Sequence, residues 1–230
     1  QIVGSIVKQT AIHGVSDVDV FVVFKRDSVR WGASIVSSNT VLNNIRDVLE
    51  ARYPRSPVYR DRMAISVSLD GGQSVIDVVP AVFKGPHPSA GIWFQIPDGE
   101  GEWLTTAPDR HLTYFRTANE QSGGKLRRIV QLIKHWKHAR ERPFPLNSFH
   151  LELVLACTEA CVRPASYSHV LATSFRLMAA RGGNAIRDPI GVSGFVPAVF
   201  TDSQRSALVG ALESASYNAD LAVEAEEQGL

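Results

Sequence analysis

The chain has 230 residues, 44% of them hydrophobic, enough for a sizeable core in one large domain or two packed lobes. Its 24 Lys and Arg against 23 Asp and Glu leave a formal charge of +1, which argues against a protein dominated by long nucleic-acid contacts. The sequence shows no apolar run of membrane-spanning length, no internal repeat and no low-complexity tract.

In chain order, residues 1–3 read as a short strand ending in Gly4-Ser5, a turn of the kind that offers backbone N–H groups and a hydroxyl to a phosphate. Three residues are too few to stand alone as a strand, so a supporting helix ahead of Gln1 is expected. The next strand is predicted over residues 18–24, led in by Ser16-Asp17. Asp17 and Asp19, one residue apart, fall on the same side of it. Two carboxylates buried together are costly unless a cation sits between them, and hard oxygen ligands suit Mg²⁺ or Mn²⁺. His13 nearby is expected to be a loop residue, since the acidic set already suffices. A helix is predicted over 40–52, with Val41, Ile45, Val48 and Leu49 inward and Tyr53-Pro54 closing it.

Strands over 64–69 and 74–79 follow, joined by the tight turn Asp70-Gly71-Gly72. Alternation puts Val75, Asp77 and Val79 on one face. Alone, Asp77 would read as an exposed charge on a two-sided strand. With Asp17 and Asp19 it makes three carboxylates, able to hold two divalent ions roughly 3.5–4 Å apart for in-line nucleotidyl transfer. Residues 86–101, rich in Pro and Gly, read as a loop around Ile92-Trp93-Phe94.

The second half reads as helices over 107–119, 124–142, 148–161 and 167–181, the last stopped by Gly182-Gly183. Helix 124–142 carries the apolar stripe Leu126, Ile129, Val130, Ile133 and Trp136 and ends at Pro143. Lys125, Arg127, Arg128, Lys134, Lys137, Arg140 and Arg142 make it basic: a solvated face, or a groove for nucleotide product or activating RNA. Residues 182–197 read as an ordered loop. Thr201 with Gln204 makes a capping box for a last helix through about residue 215, and Glu224, Glu226 and Glu227 read as a frayed end. Trp93, Trp103 and Trp136 are assigned to packing. Cys157 and Cys161 are small apolar residues on a helix face rather than a zinc site, and such usage fits a reducing cytoplasm. A strand-rich half before a helical half predicts an α+β fold with a lobe over 1–105, a lobe over 106–230, and a cleft between them.

The pattern Gly4-Ser5, Thr10, Ser16-Asp17-Val18-Asp19 and Ile76-Asp77-Val78 resembles the DNA polymerase β-type nucleotidyltransferase superfamily. Within it, the oligoadenylate synthetase and cyclic GMP-AMP synthase branch is the most similar, in particular the bacterial CD-NTases, cyclic oligonucleotide synthases of anti-phage defence. Val78-Val79-Pro80-Ala81, Ile96-Pro97 with residues 103–111, and Leu132-Ile133-Lys134-His135-Trp136-Lys137 followed by Ser148-Phe149-His150-Leu151-Glu152 resemble further segments of that branch. The similarity spans most of residues 1–160. Asp188-Pro189 loosely matches a family element, and Gln9 departs from the Gly or basic residue found there in relatives.

The resemblance implies a polymerase β-like lobe plus a helical lobe, with the active site in the cleft. It implies Asp17, Asp19 and Asp77 as catalytic carboxylates and ligands of two Mg²⁺ or Mn²⁺. Gly4 and Ser5 would bind the β/γ-phosphates, Lys134 would reach the triphosphate, Ser148 would contact phosphates, and Phe149 would stack on a base, which specifies no particular base. The implied reaction is template-independent transfer of NMP from ATP or GTP to a ribose hydroxyl, releasing pyrophosphate and building a cyclic di- or trinucleotide messenger. Implied partners are nucleoside triphosphates, a regulatory protein or RNA activator, and an effector acting through the product, with no membrane and a monomeric enzyme. Two rivals stand beside this: RNA 3′-end addition of the CCA-adding kind, and a non-catalytic nucleotide- or RNA-sensing module. Retention of all three carboxylates argues against the second.

Overall fold

The computed structural model describes residues 1–229 apart from 33, 88–90, 140–143, 159–160 and 162–164. The chain divides into two compact units, Gln1–Leu112 and Thr113–Leu230, seven residues beyond the boundary expected from sequence.

In the first unit, helix α1 (Gly4–Lys8) precedes strand β1 (Val18–Phe24), a 3₁₀ turn over Arg26–Val29, and the small hairpin of β2 (Arg30–Trp31) and β3 (Ser34–Ile35). Helix α2 (Ser38–Arg52) is followed by β4 (Val58–Asp61), β5 (Ala64–Leu69), β6 (Ser74–His87), β7 (Gly91–Pro97) and β8 (Trp103–Thr106). Strands β4 to β8 run antiparallel in sequence order, and β1 pairs in parallel with β6. The alternation expected of β6 sorts its two faces. Phe21, Val79, Ala81 and Phe94 are buried with Val3 and Ala64 on the face that carries Asp77. Val82, on the other face, packs with Val29 and Val41, and Phe24, Ile45 and Trp103 flank them. Helix α2 lies against β4 and β5. Ser37 caps it, its hydroxyl accepting from the Asn39 N–H at 3.3 Å.

Several expectations are corrected here. Residues 1–3 form a single antiparallel bridge, Ile2 to Val20, rather than a strand, and Gly4-Ser5 opens a helix rather than a turn. The supposed loop over 86–101 supplies the end of β6 and all of β7. Just ahead of it the pairing of β6 with β7 shifts register between Phe83 and Gly85, where Gly85 has φ +96°. Strand β4 was missed because Arg60 and Asp61 mask its alternation. In α2 the inward side holds Val41 and Leu42, whereas Val48 is 68% exposed.

The second unit holds most of α3 (Pro108–Gln121), then α4 (Lys125–His138), α5 (Ser148–Cys157), α6 (Tyr167–Ala180), β9 (Ile186–Arg187), β10 (Phe195–Val196) and α7 (Asp202–Gln228). The predicted stripe of α4 is its buried face: Leu126, Ile129, Val130 and Ile133 join Leu151, Val154, Phe175 and Leu208 in one core. Trp136 stacks on Phe144 at 4.8 Å, and the Trp103 indole N–H donates to the Val36 carbonyl at 3.0 Å, so both are packing residues. Arg140, Arg142 and Pro143 lie outside the described residues. Helix α5 is described as ending at Cys157, and Cys161 lies beyond it, buried, with its thiol pushed up to about 11 by that burial. Residues 182–197 contain the β9–β10 hairpin. Its return is organised by buried Asp188, whose carboxylate accepts from the backbone N–H groups of Ile190, Val192 and Ser193.

The Thr201–Gln204 capping box is present: Gln204 N–H donates to Thr201 Oγ1 at 3.1 Å, and Phe200 N–H donates to Gln204 Oε1 at 3.0 Å. The helix it starts continues thirteen residues past the expected end. That extension is polar on its surface and is tied to α6 by Arg176 with Asp220, Ser168 with Glu226, and His169 with Glu227. Among the described residues no helix is long and apolar enough to cross a membrane.

Candidate active site

The parallel pairing of β1 with β6 sets Asp19 directly beside Asp77. The antiparallel pairing of β6 with β5 sets Ser66 on the other side of Asp77. Ser66 is buried, and its hydroxyl donates to Asp77 Oδ1 at 2.6 Å, which orients that carboxylate and leaves Oδ2 outside this bond. The register of the Asp70-Gly71-Gly72 hairpin leads to this contact, since Leu69 pairs with Ser74 and counting inward pairs Ser66 with Asp77. Sequence reading nevertheless passed over Ser66.

Gly4 is brought to the same place from the N-terminal side. The Val3 N–H donates to the Asp19 carbonyl at 2.9 Å, and Gly4 adopts φ +71°. A β-carbon on Gly4 would stand 2.0 Å from Asp19 Oδ2. Only glycine therefore meets both the left-handed backbone and the approach of the carboxylate. Helix α1 begins here and ends at Gln9, which takes a left-handed conformation with φ +57°. The Thr10 N–H returns to the Ser5 carbonyl at 2.9 Å, and Thr10 is fully buried. Ser16 closes the following turn by accepting from the Ile12 N–H at 2.8 Å. His13 is exposed in that turn, as expected.

Carboxylates gather on this face. Asp17 retains much surface to solvent, yet the protein around its carboxyl, then the charges of Asp77 and Asp61, raise its pKa to about 6. Asp77 is raised as well, by burial first. The Ser66 hydrogen bond opposes that rise and the Asp61 charge adds to it. Asp61, at the end of β4, is a fourth carboxylate that sequence reading did not find. Among the described residues no three His, Cys, Asp or Glu side chains stand close enough to hold a metal ion as they are. The aspartates are thus aligned along the sheet without being closed around an ion. Their donor chemistry fits one: oxygen ligands only, with the carboxyls of Asp17 and Asp77 raised by burial first and by neighbouring carboxylate charge after it.

Lys134, Ser148 and Phe149 belong to the second unit. Lys134 is not the solvated charge of a helix edge. It is buried, and its Nζ donates to Glu152 Oε1 at 2.7 Å, with both side chains 5% exposed. Ser148 is the first residue of α5, capped by Asn147, whose side chain accepts from the Phe149 N–H at 3.0 Å. Phe149 is half-buried and packs against the core of this unit. His150, next on the helix, is buried with its Nδ1 3.0 Å from the Val196 carbonyl, and burial holds its pKa down. Glu152 and Asn147 are the two polar residues here that sequence reading left without a role.

Comparison with known proteins bears on what this arrangement is. A CBASS oligonucleotide cyclase CdnC from Escherichia coli (strain KTE188) is 30% identical over 158 residues, covering 66% of this chain and 48% of the relative. A cyclic AMP-AMP-AMP synthase from Escherichia coli (strain MS 115-1) is 28% identical over 159 residues, covering 66% of this chain and 47% of the relative. The chain therefore spans about half the length of these curated relatives. In fold it matches a solved structure of E. coli MS115-1 CdnC with ATP, with a TM-score of 0.73 and 22% identity over 96% of this chain and 76% of that one. The model of the Second Messenger Oligonucleotide or Dinucleotide Synthetase domain matches residues 1–119, which hold Gly4 and all three aspartates, and the chain belongs to that family, the bacterial CD-NTases.

Proposed function

We propose that the protein is a template-independent nucleotidyltransferase that joins nucleoside triphosphates, ATP or GTP, into a cyclic di- or trinucleotide messenger. The observation that carries this reading is the side-by-side register of Asp19 and Asp77, with Gly4 against Asp19. Asp17, Asp19 and Asp77 would hold two Mg²⁺ or Mn²⁺, whose chemistry is to acidify the attacking hydroxyl and neutralise the departing pyrophosphate. In the transfer, an acceptor ribose hydroxyl attacks the α-phosphorus, a new P–O bond forms, and the bond to the bridging oxygen breaks. The hydroxyl proton passes to Asp77, at the oxygen not engaged by Ser66. Ser66 fixes that geometry by holding Oδ1. Gly4, Ser5 and the start of α1 would hold the β/γ-phosphates. Lys134 would act on the triphosphate while sharing its charge with Glu152, Ser148 would contact phosphates, and Phe149 would stack on a base. A regulatory protein or RNA would switch the enzyme, and an effector would answer its product in anti-phage defence.

The test is incubation of the purified protein with radiolabelled ATP and GTP and Mg²⁺ or Mn²⁺. The expected result is phosphatase-resistant nucleotide, lost in Asp77→Asn. Label that accumulates only on added tRNA would overturn this reading in favour of 3′-end addition. Saturable ATP binding without turnover would make the protein a sensing module.

A further inference from the structure

The registers of the sheet set four residues in one row across it. Tyr59 on β4 pairs with Ser66 on β5, Ser66 pairs with Asp77 on β6, and Asp77 pairs with Asp19 on β1. Directly paired residues share a face, so all four stand on the face of the carboxylates. Gly4 adjoins one end of the row, against Asp19, and the bridge from Ile2 to Val20 holds it on the edge of β1 away from β6. Gly4 and Tyr59 thus mark opposite ends, with Asp77 between them. The other face of β4 is occupied: α2 lies against it, and Arg60 donates to Asn39 of that helix. Tyr59 and Asp61 are the outward residues of β4, and Tyr59 is 46% exposed.

Phosphoryl transfer gives that row a direction. The attacking and leaving oxygens lie roughly in line, on opposite sides of phosphorus. With the β/γ-phosphates at Gly4 and the attacking hydroxyl giving its proton to Asp77, the acceptor enters from the side of Ser66 and Tyr59. Ser66 is buried and its hydroxyl is engaged with Asp77. The next side chain along the row is Tyr59, two strand spacings or about 10 Å from β6. Asp61 lies two residues along the same face, and its charge reaches Asp17 and Asp77. A carboxylate there disfavours phosphate and leaves Tyr59 to an uncharged part of the acceptor. An aromatic ring offers that part a flat stacking surface that tolerates any base. We propose that Tyr59 is an acceptor-side contact whose ring stacks on the nucleoside that supplies the attacking hydroxyl. The assignment rests on the nucleotidyltransferase reading above. It places the acceptor's platform on β4, apart from the residues that hold the donor triphosphate.

The test separates the two substrates chemically. A 2′,3′-dideoxynucleoside triphosphate has no ribose hydroxyl to attack with and serves only as donor. An α,β-methylene triphosphate has no bridging oxygen to release from its α-phosphorus and serves only as acceptor. One transfer between them yields one pyrophosphate, measured against the concentration of each, in adenine and guanine forms. Tyr59→Ala is expected to raise the acceptor KM about tenfold, with the donor KM and kcat near the wild type, and Tyr59→Phe to match the wild type. An unchanged acceptor KM overturns the proposal. So does an equal rise in both KM values, which a merely structural role for Tyr59 would give. A loss that Tyr59→Phe shares assigns the contact to the hydroxyl and overturns the stack. Calorimetric titration with adenosine reads the contact without turnover. Adenosine held about tenfold more weakly by Tyr59→Ala, in a protein that turns over no triphosphate, keeps the contact and sinks the enzymatic reading. Turnover with both KM values unmoved by Tyr59→Ala does the reverse.

Discussion

The two units place charge inside the protein on opposite plans. On the sheet of the first, Asp17, Asp19 and Asp77 lie together with Asp61 near; burial first, then the charges of Asp77 and Asp61, raises Asp17, and burial with the Asp61 charge raises Asp77. In the second, Lys134 and Glu152 are more deeply buried, but they meet at 2.7 Å with opposite charge. The first arrangement is unfavourable as it stands and becomes favourable when a cation arrives. The second is an ion pair made within one unit of the protein. Burial alone therefore does not identify a binding site. Carboxylates gathered beside one another with raised pKa make the better candidate, and the two places should respond oppositely to neutralisation.

Neutralising one carboxylate of the gathered set should have the largest effect on activity and little on folding. Asp77→Asn is expected to reduce nucleotide synthesis by roughly 10³-fold or more, the scale of several kcal/mol of charge stabilisation supplied through a metal site. Circular dichroism and a Mn²⁺ titration by electron paramagnetic resonance should show a folded protein with weakened ion binding. Neutralising one member of the ion pair should do the opposite. Lys134→Met takes from buried Glu152 the ammonium whose hydrogen bond it accepts, which costs about 3–5 kcal/mol in urea unfolding. The double change Lys134→Met with Glu152→Leu should recover most of that loss. If Lys134→Met folds as stably as the wild type, the pair is not structural and Lys134 is held ready for another partner. For this reason a loss of activity in a Lys134 variant is informative only beside its stability.

Gly4 joins the comparison from the side of geometry. Gly4→Ala puts a β-carbon 2.0 Å from Asp19 Oδ2 and places alanine at φ +71°. Asp19 or the start of α1 must shift. A displacement of about 1 Å at a reacting site lowers the rate by about 10²-fold. The left-handed backbone adds about 1–2 kcal/mol of instability. Steady-state turnover and thermal unfolding together check this. Full activity in Gly4→Ala would mean that the contact with Asp19 is not part of the working geometry.

These same residues explain how much was legible in the sequence. Asp17, Asp19 and Asp77 could be found because strand alternation puts side chains on defined faces, and β1, β5 and the start of β6 follow that alternation. Gly4-Ser5 stands out in the sequence, but the contact of Gly4 with Asp19 does not, because it depends on the bridge between Ile2 and Val20. Lys134 reads from sequence as a triphosphate ligand, with a solvated charge at the edge of the stripe as the other reading, and neither foresees a buried ion pair. Its burial is decided by Glu152, 18 residues away on α5. Strand β7 was hidden by Gly85 and Pro86, whose local preference for turns was overridden by pairing along β6. The far half of α7 has little apolar pattern and is held by polar contacts with α6 that no periodicity reports.

The smallest predicted effect is also the most direct test of the gathered carboxylates. Asp17 has a pKa of about 6 in the folded protein against 3.8 ordinarily. The folded state thus binds this proton more tightly than the unfolded chain does. The stability linked to it is fully present below pH 3.8 and is lost as pH rises through about 6. At pH 8, in protein stripped of metal with chelator, the unfavourable charge is present in full, and Asp17→Asn removes it. Discounted for the solvent that reaches this open group, the gain is roughly 1 kcal/mol, or about 2–4 °C in Tm for a chain of this size. The variant and wild type should converge as the pH is lowered below about 4. Mg²⁺ should reverse the ranking at pH 8, because only the wild type keeps the carboxylate that the ion would bind. Scanning calorimetry at pH 4, 6 and 8, with and without Mg²⁺, reads all of these. A lower Tm for Asp17→Asn at pH 8 without metal would show that the protein itself already balances Asp17, and the first unit would then follow the plan of Lys134 and Glu152.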